Sequence, residues 1–437
     1  MLKFIFYLFF LIPLVNNLIV YVFGLFFFFF FFFLKNFFLS DFCFISYIFG
    51  MDFISFNFIS LSIWICLMIS LSLFTSNLKF KILYTFYINL ILIFLLLVFL
   101  VMDFFYFYFF FEGSMLPVFL ILFGWGYQPE RLSAGYYLIF YTLFGSFPFL
   151  LIIFYMMNLY GGFSFFLNLK FESNMLMFFL IFSFLIKFPM FGLHSWLPKA
   201  HVEAPVGGSM ILAGVLLKLG GYGFIRLMGF MYNFIFDFGY IFVSMSLWGC
   251  IIISLMCMIQ SDLKMLIAYS SVCHMSLAIV GLFTMSTCGK LGSIILMIGH
   301  GFVSSGLFFL VGMVYMRFSS RSFFILKGMI SILPSLSFFW FMFCIMNMSC
   351  PPSINLFSEV LIVISCLSWS NLTMIYLFFI LFFSACYSLT IFFLTQHGNM
   401  ISLMKFNSYC YLHEYLILFF HGFPVFFLMI SLNFFFN

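Results

Sequence analysis

The residues of this chain that could do chemistry concentrate between Lys187 and Gly223, in KFPMFGLHSWLPKAHVEAPVGGSMILAGVLLKLGGYG. Two lysines, Lys187 and Lys218, follow the apolar runs FFLIFSFLI and SMILAGVLL, with His194, His201 and Glu203 between them. A lysine at the centre of a membrane helix costs roughly 3 kcal/mol even on a lenient insertion scale, so such groups persist where they act on protons or ions. Neither lysine lies near enough to the end of an apolar run to serve simply as a snorkelling anchor. Pro189 is a second pointer, because it lacks an N–H and disrupts the helical bond to the carbonyl of Leu185. Interrupted helices at membrane depth face hydrated cavities and mark transport sites. A kink in which Lys187 simply bonds a neighbouring carbonyl is the structural alternative. His201 and Glu203 fall at the mouth of the stretch, where a solvated loop and a pathway are both open.

Other isolated polar residues repeat the pattern. Glu112 stands in YFYFFFEGSMLPVFLILFGWG, near mid-membrane if that helix is straight. A buried carboxylate is protonated or paired, since desolvation and a nearby cation act in opposite directions on it. Either state serves proton transfer, and a protonated glutamate bonded to a helix carbonyl is the bland alternative. His274 lies in IAYSSVCHMSLAIVGLF beside Ser270 and Ser271, and His300 in MIGHGFVSSGLFF between Gly299 and Gly301. Imidazoles titrate near neutrality and suit a relay, although a satisfied core histidine is the competing reading for each. Pro351 and Pro352 free the carbonyls of Asn347 and Met348, with Glu359 two turns beyond.

These residues need a membrane scaffold, and composition supplies one. The 437 residues are 67% hydrophobic and 6% charged, against about 25% charged in soluble domains. Apolar runs of about 20 residues recur along nearly the whole chain, which predicts an all-α polytopic membrane protein of about fourteen transmembrane helices with no soluble domain. The opening MLKFIFYLFFLIPLV resembles a signal sequence, but no small-residue cleavage site follows, so an uncleaved first span is expected. The 82 phenylalanines, including the run Phe26–Phe33, read as mutational bias in a T-rich genome of the kind organelles carry. The 11 cysteines are scattered and form no C-x-x-C pair, so they support no zinc site, cluster or disulfide framework and read as small core residues. A net charge of +5 is too diffuse to suggest nucleic acid.

Expected spans place the motifs. Span 5 runs from about Phe104 to Gly126, span 7 from about 175 to 198 with its break at Pro189, and span 8 from about 205 to 228. His274 falls in span 10, His300 in span 11, and the broken span 12 covers about 328 to 367. Lys187 and His194 share a face only if the proline break preserves helical phase. Pro189 and Pro351 lie about five helix-plus-loop units apart, and a repeat of an odd number of helices must reverse its orientation. Helices 4–8 and 9–13 therefore read as two inverted five-helix repeats, with helices 7 and 12 discontinuous. The corresponding segments are 1–80, 81–230, 231–396 and 397–437. Lys79, Lys81, Arg131, Lys199, Lys264, Arg317, Arg321, Lys327 and Lys405 follow odd-numbered spans, whereas Lys3, Lys35, Lys170, Arg226 and Lys290 oppose them. By the positive-inside rule the odd loops face the matrix or cytoplasm, and both termini face the other side.

FFFEGSMLP, FGWGYQPERLSAG, the Lys187–Gly223 stretch, QSDLKMLIAYSSVCHMS, GHGFVSSGLFF and PPSINLFSE together resemble the antiporter-like chain 4 family of mitochondrial NADH:ubiquinone oxidoreductase, respiratory complex I. The likeness covers about residues 103–365, and PKAHVEAP with GWGYQPER separates it from the sister chains 2 and 5. The resemblance implies a fourteen-helix fold with inverted repeats and a proton channel in the mitochondrial inner membrane. It implies that Glu112 pairs with Lys187, that Lys218 carries the proton in the first half, and that His274, His300 and Glu359 continue the polar axis. His194 and His201 are secondary candidates. It also implies that NAD, FMN, iron–sulfur clusters and ubiquinone bind to other subunits, that neighbours include chains 2 and 5, and that lipid, water and protons are the small partners. The chain itself shows no G-x-G-x-x-G after a strand and no cysteine set, so no cofactor of its own is expected. A stand-alone cation/proton antiporter of the same fold, and a membrane scaffold whose buried charges only join helices, are the competing functions.

Overall fold

The computed structural model describes residues 2–36, 43–46, 48–76, 78–166, 173–399, 409–432 and 435. Lys170 and Lys405, used above to orient loops, lie outside them, as does the side chain of Lys35. The chain falls into two compact units. The first comprises Met1–Lys187, Glu203–Ile211 and Val215–Tyr232, and the second Phe188–Val202, Leu212–Gly214 and Asn233–Asn437.

The architecture is helical. The first unit opens with α1 (Leu2–Leu11) and α2 (Leu18–Asn36), followed by α3 (Phe53–Ser72), α4 (Lys81–Leu100), α5 (Phe104–Gly113), α6 (Met115–Trp125), α7 (Arg131–Tyr160) and α8 (Asn174–Lys187). After α9 (Trp196–Glu203) come α10 (Val206–Ile211), a π-helical turn at Leu212–Leu216 and α11 (Leu217–Leu227), together a run of 22 residues. The second unit holds α12 (Tyr232–Ile259), α13 (Leu263–Phe283), α14 (Thr287–Phe318), α15 (Met329–Ile332), α16 (Pro334–Asn347), α17 (Ile354–Trp369), α18 (Thr373–Gln396) and α19 (Leu412–Ile430). Among the described residues, 10 helical runs are long and apolar enough to cross a membrane, and shorter apolar helices include α8, α16 and α17. The protein is a multi-span membrane protein.

Sequence chemistry explains the boundaries. Asp52 caps α3: its carboxylate accepts from Ser55 N–H at 3.0 Å, and its own N–H donates to Ser55 Oγ at 2.8 Å. The phenylalanine run in α2 sorts by helical face, with Phe28 and Phe32 buried and Phe26, Phe27, Phe30 and Phe31 exposed, as a lipid-facing helix requires. Phe32 stacks on Phe56 of α3 with centroids 5.5 Å apart. At Gly223 of α11 an added Cβ would overlap the ring of Phe184 on α8, so only glycine permits this approach. In the second unit α14 is the centre, its apolar window wholly buried among α13, α16, α17 and α19.

Both proline breaks appear. Helix α8 stops at Lys187, residues 188–195 run as turns through Pro189, and α9 resumes at Trp196. Likewise α16 ends at Asn347 and α17 begins at Ile354, with Pro351 and Pro352 between them. Span 5 runs over Phe104–Trp125, with one turn residue, Ser114, between α5 and α6. The break at Pro189 does not preserve helical phase, since α8 ends at Lys187 and His194 lies in the turns beyond it. A short antiparallel hairpin, Cys43–Ser46 with Phe49–Met51, also lies where no strand was expected.

Candidate functional site

In the first unit Lys187 sits on the last turn of α8 and Glu112 in the last turn of α5. Lys187 Nζ lies 3.0 Å from Glu112 Oε1, and the lysine side chain is 1% exposed. Its ammonium also donates to the carbonyl of Phe111 at 3.2 Å and caps the Phe111 ring, 3.0 Å from the centroid. A cation at a helix C-terminus, as Lys187 is at the end of α8, is complemented by that helix's dipole. Opposite charges at this range attract by about 4 kcal/mol or more at an effective dielectric near 20, which offsets the penalty of burial. Lys218, on α11 two residues past the π-helical turn, is fully buried. Wide turns of this kind recur at functional sites because they offset the helical register.

In the second unit His274 of α13 lies between two oxygens. Its Nδ1 is 3.5 Å from Glu359 Oε1, and its Nε2 is 3.2 Å from the hydroxyl of Tyr387 on α18. Ser349, in the α16–α17 break, donates its hydroxyl to Glu359 Oε1 at 2.5 Å. The His300 ring lies 5.5 Å from that of His274, and both imidazoles are buried. Acid, imidazole and phenol in sequence give a chain of groups able to exchange protons. His201 is in α9, buried and stacked on Phe308 at 4.7 Å, so the solvated-loop reading does not hold for it. His194 lies in the irregular segment, its ring 5.7 Å from Phe191 and 6.4 Å from Tyr269. Glu203 is buried as well.

Sequence reasoning missed several groups. Arg226 forms a two-pronged bond with Asp52, and Arg317 is buried against Glu414. Lys264, counted above as a loop cation, is buried and donates to the carbonyl of Val202 at 3.3 Å, where Arg321 also donates at 2.9 Å. Two cations on the last turn of α9 fit the negative end of its dipole. Tyr387 carried no signal in sequence, because a tyrosine in an aromatic-rich span is indistinguishable from core until its hydroxyl finds a partner.

Interrupted membrane helices around buried ionisable residues define an antiporter-like membrane subunit, and comparison with known proteins agrees. Residues 101–385 match the family described as NADH:quinone oxidoreductase/Mrp antiporter, TM, and residues 1–103 match NADH-ubiquinone oxidoreductase chain 4, amino terminus. The NADH-ubiquinone oxidoreductase chain 4 of Aedes aegypti is 50% identical, over 99% of this chain and 98% of its own length. That of Locusta migratoria is 47% identical, over 97% of each. A chain of respiratory complex I from Thermus thermophilus shares the fold with a TM-score of 0.86 at 22% identity, covering 99% of this chain and 96% of its own. A chain of the Mrp complex from a Dietzia species gives 0.80 at 14% identity, covering 88% and 82%. The chain belongs to the NADH-ubiquinone oxidoreductase chain 4 family, membrane subunits of respiratory complex I. Among the described residues, no group of three or more His, Cys, Asp or Glu is placed to hold a metal ion.

Proposed function

We propose that this chain translocates protons across the mitochondrial inner membrane, driven by electron transfer from NADH to ubiquinone in other subunits. The ion pair of Glu112 with the buried Lys187 carries this reading. In the first unit Lys218 holds and releases the proton. A change in the charge state of the Glu112–Lys187 pair alters the field at Lys218 and so its hold on the proton. In the second unit Glu359, His274 and His300 pass protons, with Tyr387 as a further group and His194 and His201 as secondary ones. No cofactor binds to this chain in this account. Chains 2 and 5 are its antiporter-like partners, and both termini face the intermembrane space. The segments 81–230 and 231–396 are the inverted repeats.

A double-mutant cycle on the assembled complex in vesicles tests the role of the pair. Glu112→Gln and Lys187→Met each lower protons moved per NADH oxidised, and the double variant is no worse than the more damaged single, because members of a coupled unit are non-additive. Independent, additive losses would show that the two residues serve separate purposes.

A further inference from the structure

Lys218, Tyr222 and Arg226 occupy positions i, i+4 and i+8 of one helical run, so their side chains fall within about 80° of arc. The lower two are tied to neighbouring helices. Arg226 donates from both terminal nitrogens to Asp52, at 2.7 and 2.6 Å, and from one of them to the Tyr222 hydroxyl at 2.9 Å. Tyr222 in turn donates to the carbonyl of Phe99, at the end of α4, at 3.0 Å. The guanidinium also lies 4.6 Å from the Tyr222 ring centroid and 5.5 Å from that of Phe165. Asp52 is itself immobilised as the N-cap of α3. One end of the Lys218 face is therefore fixed at two points, to the start of α3 and the end of α4. On the other side of Lys218 lies the π-helical turn Leu212–Leu216, where the helical hydrogen bonds are already displaced.

A planar guanidinium held by both carboxylate oxygens resists rotation in a way that a point charge does not. We propose that the Asp52–Arg226–Tyr222 clamp is a positioning device: it fixes the rotation of α11 about its axis and thereby sets the direction in which the Lys218 amine points. None of the three residues exchanges a proton with the transported species in this account. Their effect on transport passes through Lys218, so the proposal rests on the role assigned to Lys218 above.

Two substitutions isolate the clamp. Asp52→Asn keeps a good helix N-cap and removes the charge that holds Arg226. Tyr222→Phe keeps the ring and removes the hydroxyl that ties Arg226 and the Phe99 carbonyl. Each is examined in the assembled complex in vesicles, scoring complex content, protons per NADH and the pH profile of pumping, beside Lys218→Ala. The expected result is wild-type complex content with a pumping profile displaced by about half a pH unit or more, since a turned lysine meets a different environment. Profiles that superimpose on wild type, with normal protons per NADH, overturn the clamp's role. Loss of assembled complex in both variants, with normal pumping by what remains, also overturns it, because a purely structural contact behaves that way. Normal pumping by Lys218→Ala overturns the role of Lys218 instead, which separates the two failures.

Discussion

Arg317, in the last turn of α14, is joined to Glu414, in the first turn of α19, with both side chains almost wholly buried. Glu414 also accepts from Tyr411 N–H at 2.9 Å, and Arg317 donates to the carbonyls of Met313 at 2.8 Å and Tyr409 at 3.3 Å. The pair stitches the C-terminal helix to the centre of the second unit. Removing one partner strands a buried charge, which costs about 3–5 kcal/mol, whereas replacing both with apolar residues of similar size is near neutral. Glu414→Leu therefore lowers the thermal stability of the assembled complex, and Arg317→Met with Glu414→Leu recovers most of it. Equal damage by the single and the double variant would show that the contact is not a charge pair in function.

The second-unit cluster makes a different demand. Glu359→Gln keeps an acceptor for the Ser349 hydroxyl but removes the carboxylate from His274, so it should assemble normally and impair pumping. Tyr387→Phe leaves Glu359 in place and should be milder. Proton yield per NADH in vesicles ranks the two, and the reverse order contradicts the assigned roles.

Much of this was legible in sequence because an ionisable residue inside an apolar run is conspicuous at any depth. Glu112, Lys187, Lys218, His274, His300 and Glu359 announce themselves in that way, and Pro189 and Pro351 announce the breaks. Arg226, Lys264 and Arg317 did not, because a cation near a helix end looks the same in sequence whether it meets solvent or a buried acceptor. Their partners Asp52, Val202 and Glu414 are distant in the chain, and only packing brings them together. The π-helical turn at Leu212–Leu216 involves neither a proline nor a change of polarity, so hydropathy passes over it. The turn at Ser114 does carry a signal, because Pro117 lacks the N–H that would bond the Gly113 carbonyl.

Membrane orientation is open to a direct check. Two of the cations counted toward the odd-numbered loops, Lys264 and Arg317, are buried. The exposed or half-buried ones, including Lys79, Lys81, Arg131, Lys199, Arg321 and Lys327, still predict a C-terminus on the intermembrane-space side. A tag on the C-terminus should be cleaved by protease added to mitochondria with a permeabilised outer membrane and an intact inner one. Cleavage only after the inner membrane is opened contradicts that orientation.

In the first unit one buried amine, that of Lys218, is assigned the proton, and Lys218→Ala tests this most directly. The lysine is fully buried, and trimming its side chain removes the amine without adding bulk. Complex content and NADH oxidation are measured together with proton uptake in sealed vesicles. The complex should assemble and its protons moved per NADH should fall clearly below wild type; an unchanged yield would contradict a proton-carrying role for Lys218.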